Sequence, residues 1–303
     1  MKTYLINEND AGQRLDKFIK KAMPGLPESL MHKGIRKNSV RINGLRCRDC
    51  SRMLEEGDTV ALYFSDEFLP EKRHTAAAPP PEVVYEDNNI LIVNKPAGIP
   101  VHADDKGTSD TLIGRILYYL EAKNEYNPIS ENSFTPALCN RLDRNTSGLV
   151  IAAKNAPSLR IINEKIKNRE IEKYYLCICD GIPGKKEDLI VSKLKRGDKT
   201  VSLGEEGKEI RTAYRVISSN NEHSLLEIKL LTGRTHQIRA QLSAIGHPLT
   251  GDKKYGGSFE KSGYALISYK IKFAFTSPAG KLEYINGLEI TLPEAEKRFG
   301  GAL

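Results

Sequence analysis

Residues 140–149 read Asn-Arg-Leu-Asp-Arg-Asn-Thr-Ser-Gly-Leu and run on into Val150-Ile151-Ala152-Ala153. One carboxylate, Asp143, stands between two guanidinium groups, Arg141 and Arg144. Thr146-Ser147-Gly148 supplies a turn, and the apolar run after it reads as a strand. An acid held by arginines at the lip of a strand suits a catalytic carboxylate acting on a polyanion. An Asp that caps a turn among solvated arginines has the same local sequence, so the stretch alone does not decide between chemistry and turn-making.

The bulk of the chain bears on that choice. At 303 residues, 39% hydrophobic and 28% charged, it has the composition of an ordinary globular protein with room for two unequal domains. A formal net charge of +7 and a pI near 9.0 favour a polyanionic partner. No apolar run is long enough to span a bilayer, and Met1–Glu8 lacks the apolar core of a signal peptide. Five cysteines in a long chain do not suggest a disulfide framework, so a cytoplasmic location is expected. Cys47 and Cys50 form a CxxC with no second pair to complete a zinc site, and no metal is expected.

The N-terminal block is compact. Leu15, Phe18, Ile19 and Ala22 repeat at helical spacing. Pro24-Gly25-Leu26-Pro27 ends that helix, and a second is expected from Pro27 or Glu28 to near Asn38. Val40-Arg41-Ile42 alternates into Asn43-Gly44, a strong hairpin signal. Lys33, Arg36, Lys37 and Arg41 concentrate charge on the second helix and the hairpin. The proline-rich segment 66–80 reads as an extended spacer, which divides the chain into a small domain over 1–65 and a larger one over 81–303.

The larger block alternates strand and helix signals. Val83–Asp87 and Ile90–Val93 flank Asn88-Asn89 as a hairpin. Ser109 or Asp110 is expected to cap a helix with Leu112, Ile116 and Leu120, and Asn155 a helix with Leu159, Ile162 and Ile166. Ile171–Cys179 and Leu226-Glu227-Ile228-Lys229-Leu230 read as strands. Several of these strands adjoin turns too short for parallel crossovers. The expected fold is α+β: a mixed, mainly antiparallel central sheet with flanking helices and a cleft, plus the small N-terminal α/β domain.

Four further segments can carry chemistry. Asn94-Lys95-Pro96-Ala97-Gly98 is a shaped loop with one cation. In Lys173-Tyr174-Tyr175 only one tyrosine can face a given side of a strand. Leu230–Arg239 reads as a strand, a Gly turn and a helix start, with Thr235 the N-cap candidate and Ile238, Leu242 and Ile245 facing the core. Gly246-His247-Pro248 and Gly251-Asp252 close the following loop.

In this order the segments Lys95–Gly98, Asn140–Gly148, Lys173–Tyr175, Gly233–Arg239, Gly246–Pro248 and Gly251–Asp252 resemble the RluA family of RNA pseudouridine synthases. The family pattern is Lys-Pro-x-Gly, His-Arg-Leu-Asp-x-x-Thr-Ser-Gly, Lys-x-Tyr, Gly-Arg-x-His-Gln-Ile/Leu-Arg, Gly-His-Pro and Gly-Asp. The resemblance covers about residues 81–290, and the N-terminal block resembles a small RNA-binding module first described in a ribosomal small-subunit protein. The chain departs from the pattern at Asn140, where the family has His, at Asn145, where Asp is common, and at Ile267-Ser268, where His-Ala is common.

The resemblance implies isomerisation of uridine to pseudouridine within RNA, without cofactor or metal. It assigns catalysis to Asp143, Tyr175 and Arg239, with Tyr174 the alternative should the strand register differ. Arg141, Lys95, Arg234 and His236 would bind the substrate, and Lys33, Arg36, Lys37 and Arg41 would hold RNA outside the cleft. The attached module favours large-subunit ribosomal RNA over transfer RNA, with the protein acting as a monomer. Two competing readings are a non-catalytic RNA-binding assembly protein and a hydrolase built on Asp143 and His236. The hydrolase would need a positioned water or a nucleophile–base pair that the sequence does not display.

Overall fold

The computed structural model describes residues 1–103, 107–197, 201–258 and 263–300. The N-terminal unit contains strands β1 (Lys2–Leu5), β2 (Val40–Ile42), β3 (Leu45–Arg46) and β4 (Thr59–Leu62), with helices α1 (Leu15–Ala22) and α2 (Glu28–Arg36). Its sheet is antiparallel in the order β1-β4-β2-β3. Leu15, Phe18, Ile19 and Ala22 of α1 are all buried, as their 3.6-residue spacing requires. Asn43 and Gly44 both have positive φ, 52° and 78°, the left-handed pair that a two-residue hairpin turn uses.

The larger unit runs through β5 (Glu82–Glu86), β6 (Ile90–Lys95), α3 (Leu112–Ala122), β7 (Ala137–Leu138), β8 (Ser147–Ala153), α4 (Ala156–Lys167) and β9 (Ile171–Asp180). It continues with β10 (Glu187–Arg196), β11 (Val201–Gly204), β12 (Lys208–Ser219), β13 (His223–Leu230), α5 (Gln237–Ala244), β14 (Leu266–Phe273), β15 (Glu289–Thr291) and α6 (Pro293–Gly300). The main path of its sheet is β11-β10-β12-β13-β9-β14-β8-β6-β5. β14 and β8 pair in parallel and their neighbours pair antiparallel, so the expected α+β architecture with a mixed, mainly antiparallel sheet is present. Both faces of the sheet are covered. On β8, Leu149 and Ile151 join one core, with Ile162 of α4, while Val150 and Ala152 join the other, with Ile116 of α3 and Leu242 of α5. A strand buried on two sides has no polar positions to alternate with, hence the unbroken apolar run. Cys177 and Cys179 share the second face.

Three local expectations differ from what forms. Thr111 caps α3, its hydroxyl accepting from the Gly114 N–H at 3.1 Å. Asp110 is drawn away by the Arg115 fork, at 2.7 Å to each oxygen. Ile245 is exposed, because α5 ends at Ala244 and the chain turns out of the core. Residues 66–80 are not extended throughout: Asp66–Phe68 forms a 3-10 turn, and the segment is tethered where Lys72 Nζ donates to the Ile129 carbonyl at 2.9 Å and the Thr75 N–H to Glu121 of α3 at 2.8 Å. Asn155 caps α4 as its sequence indicates, accepting from the Ser158 N–H.

The small unit meets the larger one through polar groups. Buried Asp10 accepts from Asn132 Nδ2 at 2.7 Å and from Ser133 Oγ at 2.6 Å, and Asn9 Oδ1 accepts from the Ala156 N–H that opens α4. Among the described residues no helix is long and apolar enough to cross a membrane.

Candidate active site

Asp143 sits in the turn that feeds β8, and the turn is fixed at both ends. Upstream, buried Asn140 accepts from the Ile151 N–H at 2.8 Å and donates to the Leu149 carbonyl at 3.4 Å, fastening the motif to β8. Downstream, the Thr146 N–H donates to the Asp143 carbonyl at 3.1 Å. Gly148 then has φ +110°, and a Cβ there would lie 2.2 Å from the Ser268 carbonyl oxygen. Only glycine permits both the backbone angle and the close approach of β8 to β14.

Lys95 completes this support. The resemblance places it among the substrate-binding residues. The structure instead buries it fully, with Nζ donating to the carbonyls of Pro96, Ile99 and Arg144 at 2.8, 2.8 and 2.9 Å. An ammonium has three protons, and all are engaged within the protein. Burial pulls its pKa down to about 8 against the pull of Asp143. Lys95 thus holds the Asp143 loop from beneath, through the Arg144 carbonyl.

The carboxylate itself is met by α5. Arg239 Nη1 donates to Asp143 Oδ2 at 3.1 Å, while Nε and Nη2 grip both oxygens of Asp252 at 2.6 and 2.9 Å. Asp252 is 1% exposed. The guanidinium lies over the Tyr264 ring at 4.3 Å and the Tyr255 ring at 5.0 Å. Burial opposes the charge on Arg239, but the Asp252 hydrogen bonds and the surrounding negative groups push its pKa above its ordinary value. Tyr264 in turn shares a hydrogen bond with Thr146 in the Asp143 turn at 3.2 Å. These partners fix the guanidinium before any substrate arrives.

His236 completes the constellation. Its Nδ1 pairs with the Tyr255 hydroxyl at 2.9 Å, and Nε2 is 3.7 Å from Asp143 Oδ2. Burial lowers its pKa, with Asp143 working the other way. The cap of α5 is His236, in the left-handed region at φ 55°, and not Thr235. Gln237 explains the shift: its side chain accepts from the Arg234 N–H and the Thr232 hydroxyl and donates to the Arg211 carbonyl, so the turn is tied to β12 without a Thr235 cap.

Tyr175 of β9 and Asp143 line one cleft of about 640 Å³. Tyr175 is 5% exposed, and burial pushes its phenol up to about 12, eased by the Ser268 hydroxyl and reinforced by Asp143. Tyr174 points to the opposite face, where its hydroxyl donates to Glu172 at 2.7 Å. Arg141 and Arg234 are exposed residues lining the same cleft. The cleft therefore brings together Asp143, Tyr175, Arg239, His236, Arg141 and Arg234, and leaves Lys95 behind it. Lys33, Arg36, Lys37 and Arg41 are exposed on the N-terminal unit, with Arg41 over the Tyr63 ring at 5.5 Å. Asp252, Tyr255 and Tyr264 were missed as site residues. Gly251-Asp252 was visible as a motif, but nothing local indicated that its carboxylate reaches Arg239.

The model of the RNA pseudouridylate synthase family matches residues 89–244. Ribosomal large subunit pseudouridine synthase C of Escherichia coli strain K12 is 32% identical over 267 residues, covering 84% of this chain and 80% of that protein. A Mycoplasma capricolum protein described as an RNA pseudouridine synthase is 33% identical over 295 residues, 94% of this chain and 95% of its own. Among solved structures, human RNA pseudouridylate synthase domain containing 1 superposes with a TM-score of 0.55 at 23% identity over 70% of this chain and 83% of that one, a likeness of fold. With the family model spanning half the sequence and relatives matched along most of their length, the chain belongs to the RNA pseudouridylate synthase family and is an isomerase acting on RNA.

Proposed function

We propose that the enzyme converts uridine to pseudouridine in large-subunit ribosomal RNA, with Asp143 acting on the ribose. The observation that carries this reading is Asp143 held at 3.1 Å by a buried arginine that is itself forked onto Asp252, in a cleft lined by Tyr175. The E. coli relative named for the large ribosomal subunit and the exposed cations of the N-terminal unit support the choice of RNA.

The reaction breaks the N1–C1′ bond, turns the uracil and joins C5 to C1′. N1 gains a proton and C5 loses one, so the sum is an isomerisation. Asp143 serves either by attacking C1′ or by assisting elimination across C1′–C2′, and both routes need an ionised, immobile carboxylate. Arg239 supplies the immobility. Tyr175, a phenol at neutral pH, offers the uracil a flat wall. By giving its proton to the departing N1 and later taking the C5 proton, it would end the cycle unchanged. Reaching the site requires the uridine to leave its stack, at about a few kcal/mol. Arg141 and Arg234 meet the RNA at the cleft, Arg141 filling the space the uridine leaves, and His236 positions the Asp143 carboxylate. The protein acts as a monomer in the cytoplasm and needs no cofactor.

The test is Asp143→Asn with pseudouridine mapping by carbodiimide-blocked primer extension. The variant is expected to bind RNA and form no pseudouridine, and modification at the wild-type level would remove Asp143 from the mechanism. Mapping total RNA from cells with and without the gene assigns the target. Sites lost from transfer RNA alone would overturn the ribosomal reading.

A further inference from the structure

Lys173 has no task in the reaction as described above. It precedes Tyr175 by two positions on β9, so both side chains leave the same face of the strand, and both line the cleft. Its ammonium lies against the turn before α5: a Cβ placed on Gly233 would be 3.9 Å from Lys173 Nζ. Lys173 is half-buried, and burial lowers its pKa with no charged group acting the other way. Among the described residues it has no hydrogen-bond or ion-pair partner.

The neighbouring lysines differ. Lys229 pairs with Glu172 at 2.6 Å, Lys165 with Glu170 at 2.7 Å, and Lys95 spends its protons on three carbonyls. Of the two acidic residues that line the cleft, Asp143 is held by Arg239, and Glu172 directs its carboxylate to Lys229 and to Tyr174 on the opposite face of β9. An ammonium partly withdrawn from water without a partner is unfavourable in proportion to its burial, and proteins tend to pair or coordinate such charges. Its partner is therefore supplied by what enters the cleft. The same stretch of rim carries Lys167, Arg169 and Arg234, all exposed, so the local field favours an anion. Two strand residues, about 7 Å, separate Lys173 from Tyr175, a distance on the scale of one nucleotide.

We propose that Lys173 is a phosphodiester-binding residue, its ammonium taking a backbone phosphate of the RNA strand beside the uridine seated against Tyr175. A Cβ on Gly233 would sit in ordinary contact with the ammonium, so the glycine leaves that side of it uncovered. The inference rests on the reading that this cleft processes RNA.

The test compares wild type, Lys173→Met and Lys173→Arg on a short synthetic RNA hairpin with a uridine in its loop, by fluorescence anisotropy over a salt series and by pseudouridine yield. Lys173→Met is expected to weaken binding about ten- to hundredfold, as for loss of one charge-assisted contact. The slope of log K against log salt should become shallower by about 0.7, one phosphate on a single strand. Lys173→Arg should restore most of both. Removing an unpaired charge should leave the melting temperature of Lys173→Met equal to or above that of wild type, which separates lost contact from lost fold. Hairpins with single methylphosphonate linkages beside the uridine give the decisive comparison. One such linkage should weaken wild type and leave Lys173→Met unaffected. An unchanged salt slope overturns the proposal, as does a fall in kcat with no change in binding, which would put the ammonium on the base. A wild-type protein that binds RNA but modifies none would sink the functional reading, while the salt slopes would still judge Lys173.

Discussion

Asp252 touches no substrate in the proposed reaction, yet its replacement should damage both stability and rate. Asp252→Asn keeps the shape and one acceptor. It points an amide N–H₂ at the guanidinium where the second carboxylate oxygen accepts at 2.6–2.9 Å. Both partners are buried, at 8% and 1% side-chain exposure, so solvent cannot take over the lost role. Removing one partner of a buried pair costs about 3–5 kcal/mol. One retained hydrogen bond puts this variant at the lower end, about 3 kcal/mol. For a unit of this size that is a drop in Tm of roughly 6–12 °C. Arg239 would then be free to leave Asp143, and a misplacement of about 1 Å in a catalytic group lowers kcat by up to about a hundredfold. Differential scanning fluorimetry and single-turnover pseudouridine formation read the two effects. Adding Arg239→Met removes the orphaned charge, so the double variant should melt above Asp252→Asn alone while remaining inactive. The argument fails if Asp252→Asn melts within about 2 °C of wild type at unchanged kcat. It also fails if the two losses of stability simply add.

Gly148→Ala should unfold the larger unit or lower its urea midpoint sharply, because the new methyl meets the Ser268 backbone at 2.2 Å from a φ of +110°. A midpoint close to wild type would show that β8 and β14 can separate freely. Tyr175→Phe keeps the wall and removes the hydroxyl, so single-turnover rates should fall while RNA affinity holds; an equal loss in both would reduce the tyrosine to a packing role. Acid stability provides a third check. Burial disfavours the Glu86 carboxylate, but hydrogen bonds from Lys123, Tyr119 and Lys154 hold its pKa at about 2, against 4.5 ordinarily. A depressed carboxylate contributes stability above its unfolded pKa and loses it as pH falls through the folded one. Urea midpoints should therefore drop between about pH 4.5 and 2, and Glu86→Gln should show a smaller drop over that window.

What the sequence made legible was local or ordered along the chain. The α1 periodicity, the Asn43-Gly44 turn and the Asn155 cap each depend on a few neighbouring residues, and each forms as read. The run of motifs from Lys95 to Asp252 identified the chemistry because its order, and not any one member, was specific. What stayed hidden involves partners far apart in the chain. The need for glycine at 148 comes from Ser268, and the grip on Arg239 from Asp252, Tyr255 and Tyr264. Lys95 was expected to bind the substrate because a sequence does not show that three carbonyls converge on its ammonium. The expected cap at Thr235 is not used because His236 takes the left-handed conformation ahead of α5, in a turn that Gln237 ties to Thr232, Arg234 and β12.

The arginines beside Asp143 in sequence are not the ones that hold it. Arg141 and Arg144 are exposed, and the carboxylate is gripped by Arg239, 96 residues away. A polyanionic substrate gives this a physical reason. Had Arg141 been committed to Asp143, the lip of the cleft would present a neutral pair to RNA. A buried arginine avoids that, but Arg239 lies between two carboxylates, so Asp143, Arg239 and Asp252 together carry one net negative charge. A phosphate chain would be repelled by such a cluster at close range, where water cannot screen it. Cations that are not spent inside the protein must outweigh it. Arg141 and Arg234 on the exposed side, and Lys173 in its proposed role, are placed to do so. Neutralising Lys173 should therefore be felt more strongly at low salt than at high, whereas breaking the Asp252 fork should disable the enzyme at any ionic strength.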